Sequence, residues 1–134
     1  MIRTLLVAVL ALPLIAFAQA WPSKPIRLVV PYPPGGSTDL LARTIGQRVG
    51  DSLGQQIVVD NRAGAGGMLG SDIVARAAPD GYTLLLGTGA THGLTLLLSK
   101  AIAYDPVKDI TPNTAAVEVP IILCVHPSIP GASA

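Results

Sequence analysis

Residues 29–43, VVPYPPGGSTDLLAR, constrain the fold of this chain more than any other stretch. Pro31, Pro33 and Pro34 cannot donate hydrogen bonds to a sheet, so the apolar strand that precedes them must end near Val30. The two glycines that follow have no Cβ and allow a sharp turn, and the polar residues after them favour the start of a helix. The stretch therefore predicts a strand, a glycine corner and a helix, in that order.

The glycine corner supports two interpretations. In the first it is an ordinary connection, in which Ser37, Thr38 or Asp39 caps a helix whose first backbone N–H groups have no partner within the helix. In the second, the same free N–H groups, approached closely over Gly35 and Gly36, bind an anion or a carboxylate. Local sequence favours the ordinary connection, because such corners outnumber ligand sites.

Strand and helix patterns alternate along the chain. Short apolar runs rich in β-branched residues predict strands, and apolar residues spaced by three or four predict helices. The predicted strands are Ile26 to Val30, Gln56 to Asp60 and Tyr82 to Leu86, and the predicted helices are Thr38 to Leu53 and Met68 to Ala78. This alternation is typical of parallel βαβ units, so the predicted fold class is α/β, a sandwich of helices and a sheet.

The first helix has a predicted apolar face. Leu41, Ile45, Val49 and Leu53 recur every four residues, so we expect them to pack on the sheet. Two glycines within the helix each weaken it by about 1 kcal/mol relative to Ala, so packing must hold it. Gly54 is placed to end the helix in the left-handed conformation.

Beyond the third strand the pattern is weaker. It predicts a short helix over residues 93–99, a surface loop over 103–111 and a further strand over 121–125. The lone cysteine, Cys124, lies within the last of these runs, where a buried apolar role is the usual one.

The first 20 residues are predicted to be a secretory signal peptide. Arg3 supplies the positive start, residues 4–15 are an almost unbroken apolar run, and Ala18 and Ala20 form a small-residue cleavage pattern. The alternative is an N-terminal membrane anchor. The apolar run is too short to span a membrane, so we expect export and no stable membrane anchor after cleavage.

The charge balance argues against two classes of partner. Arg3 is the only charged residue of the predicted signal peptide, so cleavage leaves 8 of the 9 basic residues against 8 acidic ones. A neutral chain with scattered charges gives no support for nucleic acid or acidic membrane surfaces as partners.

Gly64, Gly66 and Gly70 invite an enzymatic interpretation, in which a small α/β enzyme binds a nucleotide cofactor. Their spacing is G-x-G-x-x-x-G instead of G-x-G-x-x-G, and the next strand does not end in an acidic residue for a ribose. Ser37 and Ser71 follow glycines, yet neither lies in G-x-S-x-G. The histidines and carboxylates show no metal-ligand spacing. We therefore expect no catalytic residue, no cofactor and no metal.

Residues 87–93, GTGATHG, follow the predicted third strand. Because loops after parallel strands meet at the carboxyl edge of the sheet, this loop should lie beside the corner of residues 33–38. Thr88, Thr91 and His92 then become neighbours of that corner. An ordinary surface loop is the alternative interpretation.

The chain carries, in this order, the segments VVPYPPGGSTDLLAR, VVDNRAGAGG, APDGYTLLLGT, GATHG and YDPVKDITP. They resemble the extracytoplasmic solute-binding receptors of tripartite tricarboxylate transporters, often called Bug receptors, over nearly all of residues 21–130. The resemblance implies a periplasmic, two-lobed, hinged binding protein of type II, each lobe a three-layer sandwich. The implied ligand is a small carboxylate, such as a di- or tricarboxylate, an acidic amino acid or an aromatic acid. The implied partners are the membrane subunits of the transporter.

The resemblance also implies a binding site. The loop after the first strand would hold a ligand carboxylate by backbone amides, hydroxyls and ordered waters, with the loop after the third strand beside it. The implied ligand-binding residues are Tyr32, Pro34, Gly35, Gly36, Ser37, Thr38 and Asp39 in the first loop and Thr88, Thr91 and His92 in the second.

Members of that family are much longer than this chain. We therefore expect residues 21–134 to form an incomplete first lobe, without the second lobe that supplies the opposing loop. The alternative is a truncated, non-functional remnant of such a receptor. Met68 also departs from the family pattern, which commonly has a polar residue, Asn, at this place.

Overall fold

The computed structural model describes residues 20–94, 97 and 102–119. Within these residues three strands form one parallel sheet, in the spatial order β2-β1-β3. The strands are β1 (Ile26–Val30), β2 (Ile57–Asn61) and β3 (Thr83–Leu85). Helix α1 (Ser37–Leu53) joins β1 to β2, and a 3-10 turn (Ala65–Gly67) with helix α2 (Met68–Ala75) joins β2 to β3. The predicted α/β class is confirmed.

The central position of β1 places the two helices on opposite faces of the sheet. β1 pairs with β2 from Ile26 opposite Ile57 onwards, and with β3 along its other side. The two crossovers run in opposite directions, and right-handed crossovers in opposite directions lie on opposite faces. Accordingly, α1 packs on β1 and β2, whereas α2 packs on β1 and β3. The described residues thus form a three-layer α/β lobe.

The face that α1 turns to the sheet differs from the predicted one. Ala42 and Gly46 are its buried residues on this side, whereas Val49 is 38% exposed. The other predicted residues, Leu41, Ile45 and Leu53, are half-buried. A Cβ at Gly46 would lie only 3.2 Å from Cγ2 of Ile57, so a larger residue there would push the helix outward. The glycine that weakens the isolated helix therefore allows its close packing on β2.

The main core lies between α1 and the sheet. Leu28 and Val30 of β1 pack there with Ala42 of the helix. Half-buried apolar residues surround this cluster, namely Tyr32, Ile57, Val59, Leu84 and Leu86. The core therefore ends directly beneath the corner that follows β1, because Tyr32 belongs to both.

The predicted cap at the start of α1 is wrong, whereas the predicted end of α1 is confirmed. Gly36, in an extended conformation with φ −80° and ψ 172°, is the N-cap, and no side chain makes a capping hydrogen bond. The prediction that Ser37, Thr38 or Asp39 caps the helix is therefore wrong, since the helix already begins at Ser37 and the Asp39 carboxylate is directed at the preceding loop. At the other end Gly54 is left-handed, with φ 65°, which confirms that prediction.

The helix of the second crossover is shorter than predicted. Helix α2 ends at Ala75 instead of Ala78. A wide helical turn lies at Ala90–Leu94, ahead of the predicted helix over 93–99, most of which lies outside the described residues. The predicted strand over 121–125 and the predicted signal peptide up to residue 19 also lie outside them.

The segment predicted as a surface loop over 103–111 is partly buried. Tyr104 is 6% exposed, and its hydroxyl donates to the carbonyl oxygen of Thr91 at 2.9 Å. Asp105 closes a turn by accepting the N–H groups of Val107 and Lys108. Pro106 is buried as well, and Tyr104 anchors this segment to the loop after β3. Among the described residues, no helix has the length and apolar character that a membrane crossing requires.

Candidate functional site

The corner after β1 projects from the carboxyl edge of the sheet. Pro31 is buried beneath it, whereas Pro34, Gly35 and Gly36 are exposed. Gly35 has φ +85°, and no heavy atom lies within 4 Å of the position that a Cβ would take there. This backbone conformation favours glycine, so the corner owes its shape to its sequence and its open surface to its position.

Asp39, in the first turn of α1, fixes this corner from behind. Its side chain is buried, and one carboxylate oxygen accepts the N–H of Gly35 at 2.9 Å and Nε of Arg43 at 3.0 Å. The other oxygen accepts Nδ2 of Asn61 at 3.0 Å. Asn61 Nδ2 also donates to the carbonyl oxygen of Tyr32 at 3.1 Å. The start of the corner, its tip and the helix are therefore tied to the end of β2.

The same contacts hold Asp39 in its charged form. The hydrogen bond from Arg43, then that from the Gly35 N–H and then that from Asn61 lower the pKa of Asp39 from 3.8 to about 2. Burial acts in the opposite direction and is outweighed. The charge of this carboxylate is thus compensated inside the protein, and it serves the loop by holding the Gly35 amide.

The first backbone amides of α1 are available to a ligand. The first helical hydrogen bond at this end runs from the N–H of Leu40 to the carbonyl oxygen of Gly36. Within the described part of the chain, the N–H groups of Gly36, Ser37 and Thr38 donate to no protein acceptor. Adjacent unpaired N–H groups at a helix N-terminus form a site for an anion without any formal cation.

The loop after β3 lies against the corner, as the sequence predicts. The hydroxyl oxygens of Tyr32 and Thr88 are 2.7 Å apart. Thr91 is fully buried, and its Oγ1 accepts the N–H of Thr88 at 2.9 Å and donates to the Thr88 carbonyl oxygen at 3.0 Å. Oγ1 of Thr91 also lies 2.8 Å from Nδ1 of His92. One buried hydroxyl therefore sets both the loop backbone and the orientation of the half-buried imidazole.

The glycine-rich turn between β2 and α2 forms the floor beneath both loops. A Cβ at Gly67, where φ is +97°, would lie 2.6 Å from Cγ2 of Thr91 and 3.4 Å from Cβ of Pro31. A Cβ at Gly70 would lie 2.9 Å from Cα of Pro31 and 3.0 Å from the carbonyl oxygen of Arg62. Neighbouring protein atoms occupy the space beside Gly67 and Gly70, so these two glycines serve close packing.

The predicted site residues fall into three groups in the structure. Four are exposed at the tip of the corner, four are half-buried in the two loops and the start of α1, and two are buried. In that order the groups are Pro34, Gly35, Gly36 and Ser37; Tyr32, Thr38, Thr88 and His92; and Asp39 and Thr91.

Sequence reasoning missed the residues that support the site. Asn61 contacts the corner, Tyr104 contacts the loop after β3, and Gly67 and Gly70 lie close beneath Pro31. The signal that was available is the position of Asn61 and the glycines in NRAGAGG, directly after the second strand, at the same edge of the sheet.

No group of three or more residues suited to hold a metal occurs within the described ranges.

The comparison with known families and proteins identifies relatives with solute-binding roles. Residues 41–133 match the family described as tripartite tricarboxylate transporter family receptor. Protein BugT of Bordetella pertussis is 45% identical over 113 residues, which are 84% of this chain and 35% of BugT. A protein encoded in the tcbD-tcbE intergenic region of Pseudomonas sp. strain P51 is 44% identical over 80% of this chain and 32% of its own length.

Solved structures give the same result. The MatC protein of Rhodopseudomonas palustris with bound malate has a TM-score of 0.66 and 46% identity, over 69% of this chain and 31% of that one. A second R. palustris protein, with adipate, has a TM-score of 0.62 and 42% identity, over 64% of this chain and 29% of that one. A structure described as a periplasmic transporter has a TM-score of 0.64 and 50% identity, over 66% of this chain and 30% of that one. The chain thus spans about a third of the length of these relatives.

Proposed function

Because the chain belongs to the tripartite tricarboxylate transporter receptor family, a family of periplasmic solute-binding receptors and not of enzymes, we propose that it carries one side of a carboxylate-binding cleft. The ligand is a small carboxylate, in the class of di- and tricarboxylates, acidic amino acids or aromatic acids. Two relatives of known structure have malate and adipate bound, which supports the dicarboxylates first.

The single observation that carries this proposal is the set of unpaired amides at the corner. The N–H groups of Gly36, Ser37 and Thr38 follow one another at the start of α1, and the loop before them is fixed by Asp39. Donors already held in place cost little ordering when the ligand arrives. A carboxylate that accepts two of these amides would also gain from the positive end of the helix dipole.

The loop after β3 supplies the side-chain part of the proposed site. Thr88 and His92 lie at the cleft side of this loop, and Thr91 holds them from below. Hydroxyl and imidazole groups can contact the remainder of the ligand directly or through water. The hydroxyl of Tyr32 contacts that of Thr88, so the two loops would act on the ligand together.

The rest of the receptor completes this site in the proposal. Residues 21–134 belong to an incomplete first lobe, and a second lobe supplies the opposing loop and the closing movement. The chain is exported by its signal peptide, acts in the periplasm and delivers its ligand to the membrane subunits of a tripartite transporter. The length of the relatives supports the second lobe, and their periplasmic character supports the location.

A proline at residue 37 gives a direct test of amide binding. Ser37 is the first helical residue, where proline is well tolerated, and Gly36 before it is already extended. Ser37→Pro therefore removes one N–H with little cost to the helix, and Ser37→Ala removes only the hydroxyl. In the receptor expressed from its complete gene, we expect Ser37→Pro to weaken malate or adipate binding at least about tenfold beyond Ser37→Ala.

In this test, calorimetric titration measures the affinity of each variant and thermal unfolding measures its stability. Ser52→Ala, at the exposed far end of α1, is the matched control and should change neither quantity. Equal affinities of Ser37→Pro and Ser37→Ala would contradict binding through the amide. If residues 21–134 expressed alone aggregate or unfold without cooperativity, the interpretation of the bare chain as a non-functional remnant gains the advantage.

A further inference from the structure

We infer that Asn61, the last residue of β2, positions the ligand-binding corner from outside it; this inference rests on the function proposed for that corner. Asn61 Nδ2 donates to the carbonyl oxygen of Tyr32 at 3.1 Å and to Oδ1 of Asp39 at 3.0 Å. A single amide group therefore spans from the first residues of the corner to the first turn of α1.

The side chain of Asn61 has little left to offer a ligand. Both hydrogens of its amide are engaged, and its Oδ1 lies 3.4 Å from Nη2 of Arg43 as an acceptor. An asparagine side chain offers two donors and one acceptor oxygen. Asn61 therefore acts through the loop that it holds, as a positioning residue, and not by contact with the bound acid.

The tip of the corner depends on this support. Nothing packs within 4 Å of a Cβ at Gly35, and its N–H is bound by the Asp39 carboxylate. Asp39 is itself oriented by Arg43 and Asn61. The Gly35 amide is thus used internally, and the donors left for the ligand are the next three amides, whose position follows from the side chain at the end of β2.

The isosteric variant Asn61→Asp is the sharpest test. It replaces the two amide hydrogens by a carboxylate oxygen that faces the Asp39 carboxylate and the Tyr32 carbonyl, so attraction becomes repulsion. Ile57→Val, on the same strand but at its far end, removes one methylene from the core and does not touch the corner. The pair separates loss of positioning from loss of stability.

Two quantities should be measured in the full-length receptor, the dissociation constants for malate and adipate and the hydrogen-exchange rate of the Gly35 amide. For Asn61→Asp we expect at least about a tenfold weaker binding of whichever acid the wild type binds, because the loop must be ordered on binding. The Gly35 amide should exchange faster. Ile57→Val should leave both quantities within about twofold of the wild type, since its effect is on global packing.

A double variant adds a rescue. In Asp39→Asn with Asn61→Asp, an amide and a carboxylate again face each other with their roles exchanged, so part of the affinity lost in Asn61→Asp should return. If Asn61→Asp does not fold, Asn61→Ala replaces it, with the same expected directions for binding and for exchange at Gly35.

The outcomes separate the two proposals. Wild-type binding together with a protected Gly35 amide in the Asn61 variants would overturn the positioning role and leave the receptor function standing. An equal loss of affinity in Ile57→Val would also overturn it, because the effect would then follow stability. If the wild type binds neither acid, the proposal of a dicarboxylate ligand fails, and exchange at Gly35 still decides whether Asn61 holds the corner.

Discussion

The two loops at the carboxyl edge of the sheet are built on different principles. The corner after β1 presents backbone amides, and a charged carboxylate, Asp39, with an arginine and an asparagine holds it in place. The loop after β3 presents side chains, and the neutral hydroxyl of the buried Thr91 holds it. One loop is thus shaped by a buried carboxylate and the other by a buried hydroxyl.

This difference suggests a division of labour within the proposed site. Backbone amides recognise a carboxylate whatever carbon skeleton bears it, because they contact only the two oxygens. Side chains such as Thr88 and His92 vary in size and in hydrogen-bonding pattern, so they are suited to distinguish one acid from another. The corner would then provide the common part of binding and the second loop the selective part.

The largest expected effect comes from adding a side chain at Gly67, in the glycine-rich turn that packs beneath both loops. Gly67→Ala places a Cβ against Thr91 and Pro31 in a backbone conformation that favours glycine. We expect a loss of at least about 2 kcal/mol in the free energy of unfolding, from overpacking and backbone strain, together with weaker binding. Urea unfolding of the full-length receptor measures the first quantity.

The neighbouring glycine is the matched control. Gly66 also has a positive φ, of +67°, but nothing lies within 4 Å of a Cβ there. Gly66→Ala should therefore cost only about 1 kcal/mol, the penalty of the left-handed backbone. Equal losses for the two variants would show that crowding between the loops contributes nothing.

The direct link between the loops should have a smaller effect. Tyr32→Phe removes a hydroxyl that lies 2.7 Å from Thr88 Oγ1, so we expect unfolding of the ligand-free receptor to become easier by about 1 kcal/mol. Thr88→Val should cost a similar amount, and the double variant should cost little more than either single one.

Tyr82→Phe supplies a comparison for that hydroxyl. The Tyr82 hydroxyl interacts with Ser23 in an exposed position, away from the loops. Its removal should leave ligand affinity unchanged. Additive losses in Tyr32→Phe and Thr88→Val would mean that the two hydroxyls act independently and that the loops are not linked through them.

Replacement of His92 should affect ligand choice more than stability. In His92→Asn the amide can take the place of Nδ1 beside Thr91, which lies 2.8 Å from that nitrogen, while the far side of the ring is lost. We expect the ratio of malate to adipate affinities to change several-fold, up to about tenfold, which corresponds to one hydrogen bond. Competition titrations measure this ratio, and an unchanged ratio would remove His92 from the selective part.

Acid should weaken the support of the corner after β1 and not that of the loop after β3. Near neutral pH neither support should change. The pKa of Asp39 is about 2 in the folded protein against an ordinary value of 3.8, so the unfolded chain binds its proton first as pH falls. The stabilising contribution of this carboxylate is therefore complete above about pH 4 and is lost as the pH falls towards 2. The hydrogen bonds that Thr91 makes with Thr88 and His92 in the loop after β3 involve no carboxylate.

The matching measurement is the stability difference between wild type and Asp39→Asn as a function of pH. This difference should shrink between about pH 4 and pH 2 and stay constant above that range. Thr91→Val, which removes the supporting hydroxyl of the other loop, should differ from wild type by the same amount throughout. A constant difference for Asp39→Asn would contradict the lowered pKa.

Most of the fold was predictable because each element has a local cause. Apolar β-branched runs specify the three strands within one or two residues at each end, and Gly54 ends α1 as predicted. The buried face of α1 was not predictable in this way. The periodic large residues indicated one face, but the sheet contacts Ala42 and Gly46, because close approach to β2 requires small side chains.

The candidate site was predictable only in part, for a related reason. Parallel strand order brings residues 33–38 and 87–92 to one edge, and the contact of Tyr32 with Thr88 confirms that these loops adjoin. The capping prediction failed because Asp39 finds Gly35 and Asn61, the second of which is distant in sequence. The glycine-rich run suggested a cofactor loop, whereas protein atoms pack closely against Gly67 and Gly70.

The sequence by itself determined the α/β alternation, the place where each strand ends and the sharp corner after β1, because prolines, glycines and apolar spacing act through neighbouring residues. Only the tertiary structure decided which amides of that corner stay free and which residues hold it. The support of the corner depends on hydrogen bonds from the end of β2. Local sequence does not encode the distance between the ends of two strands. One stretch of sequence thus specifies the shape of the corner, whereas Asn61, at the end of another strand, holds the corner in place.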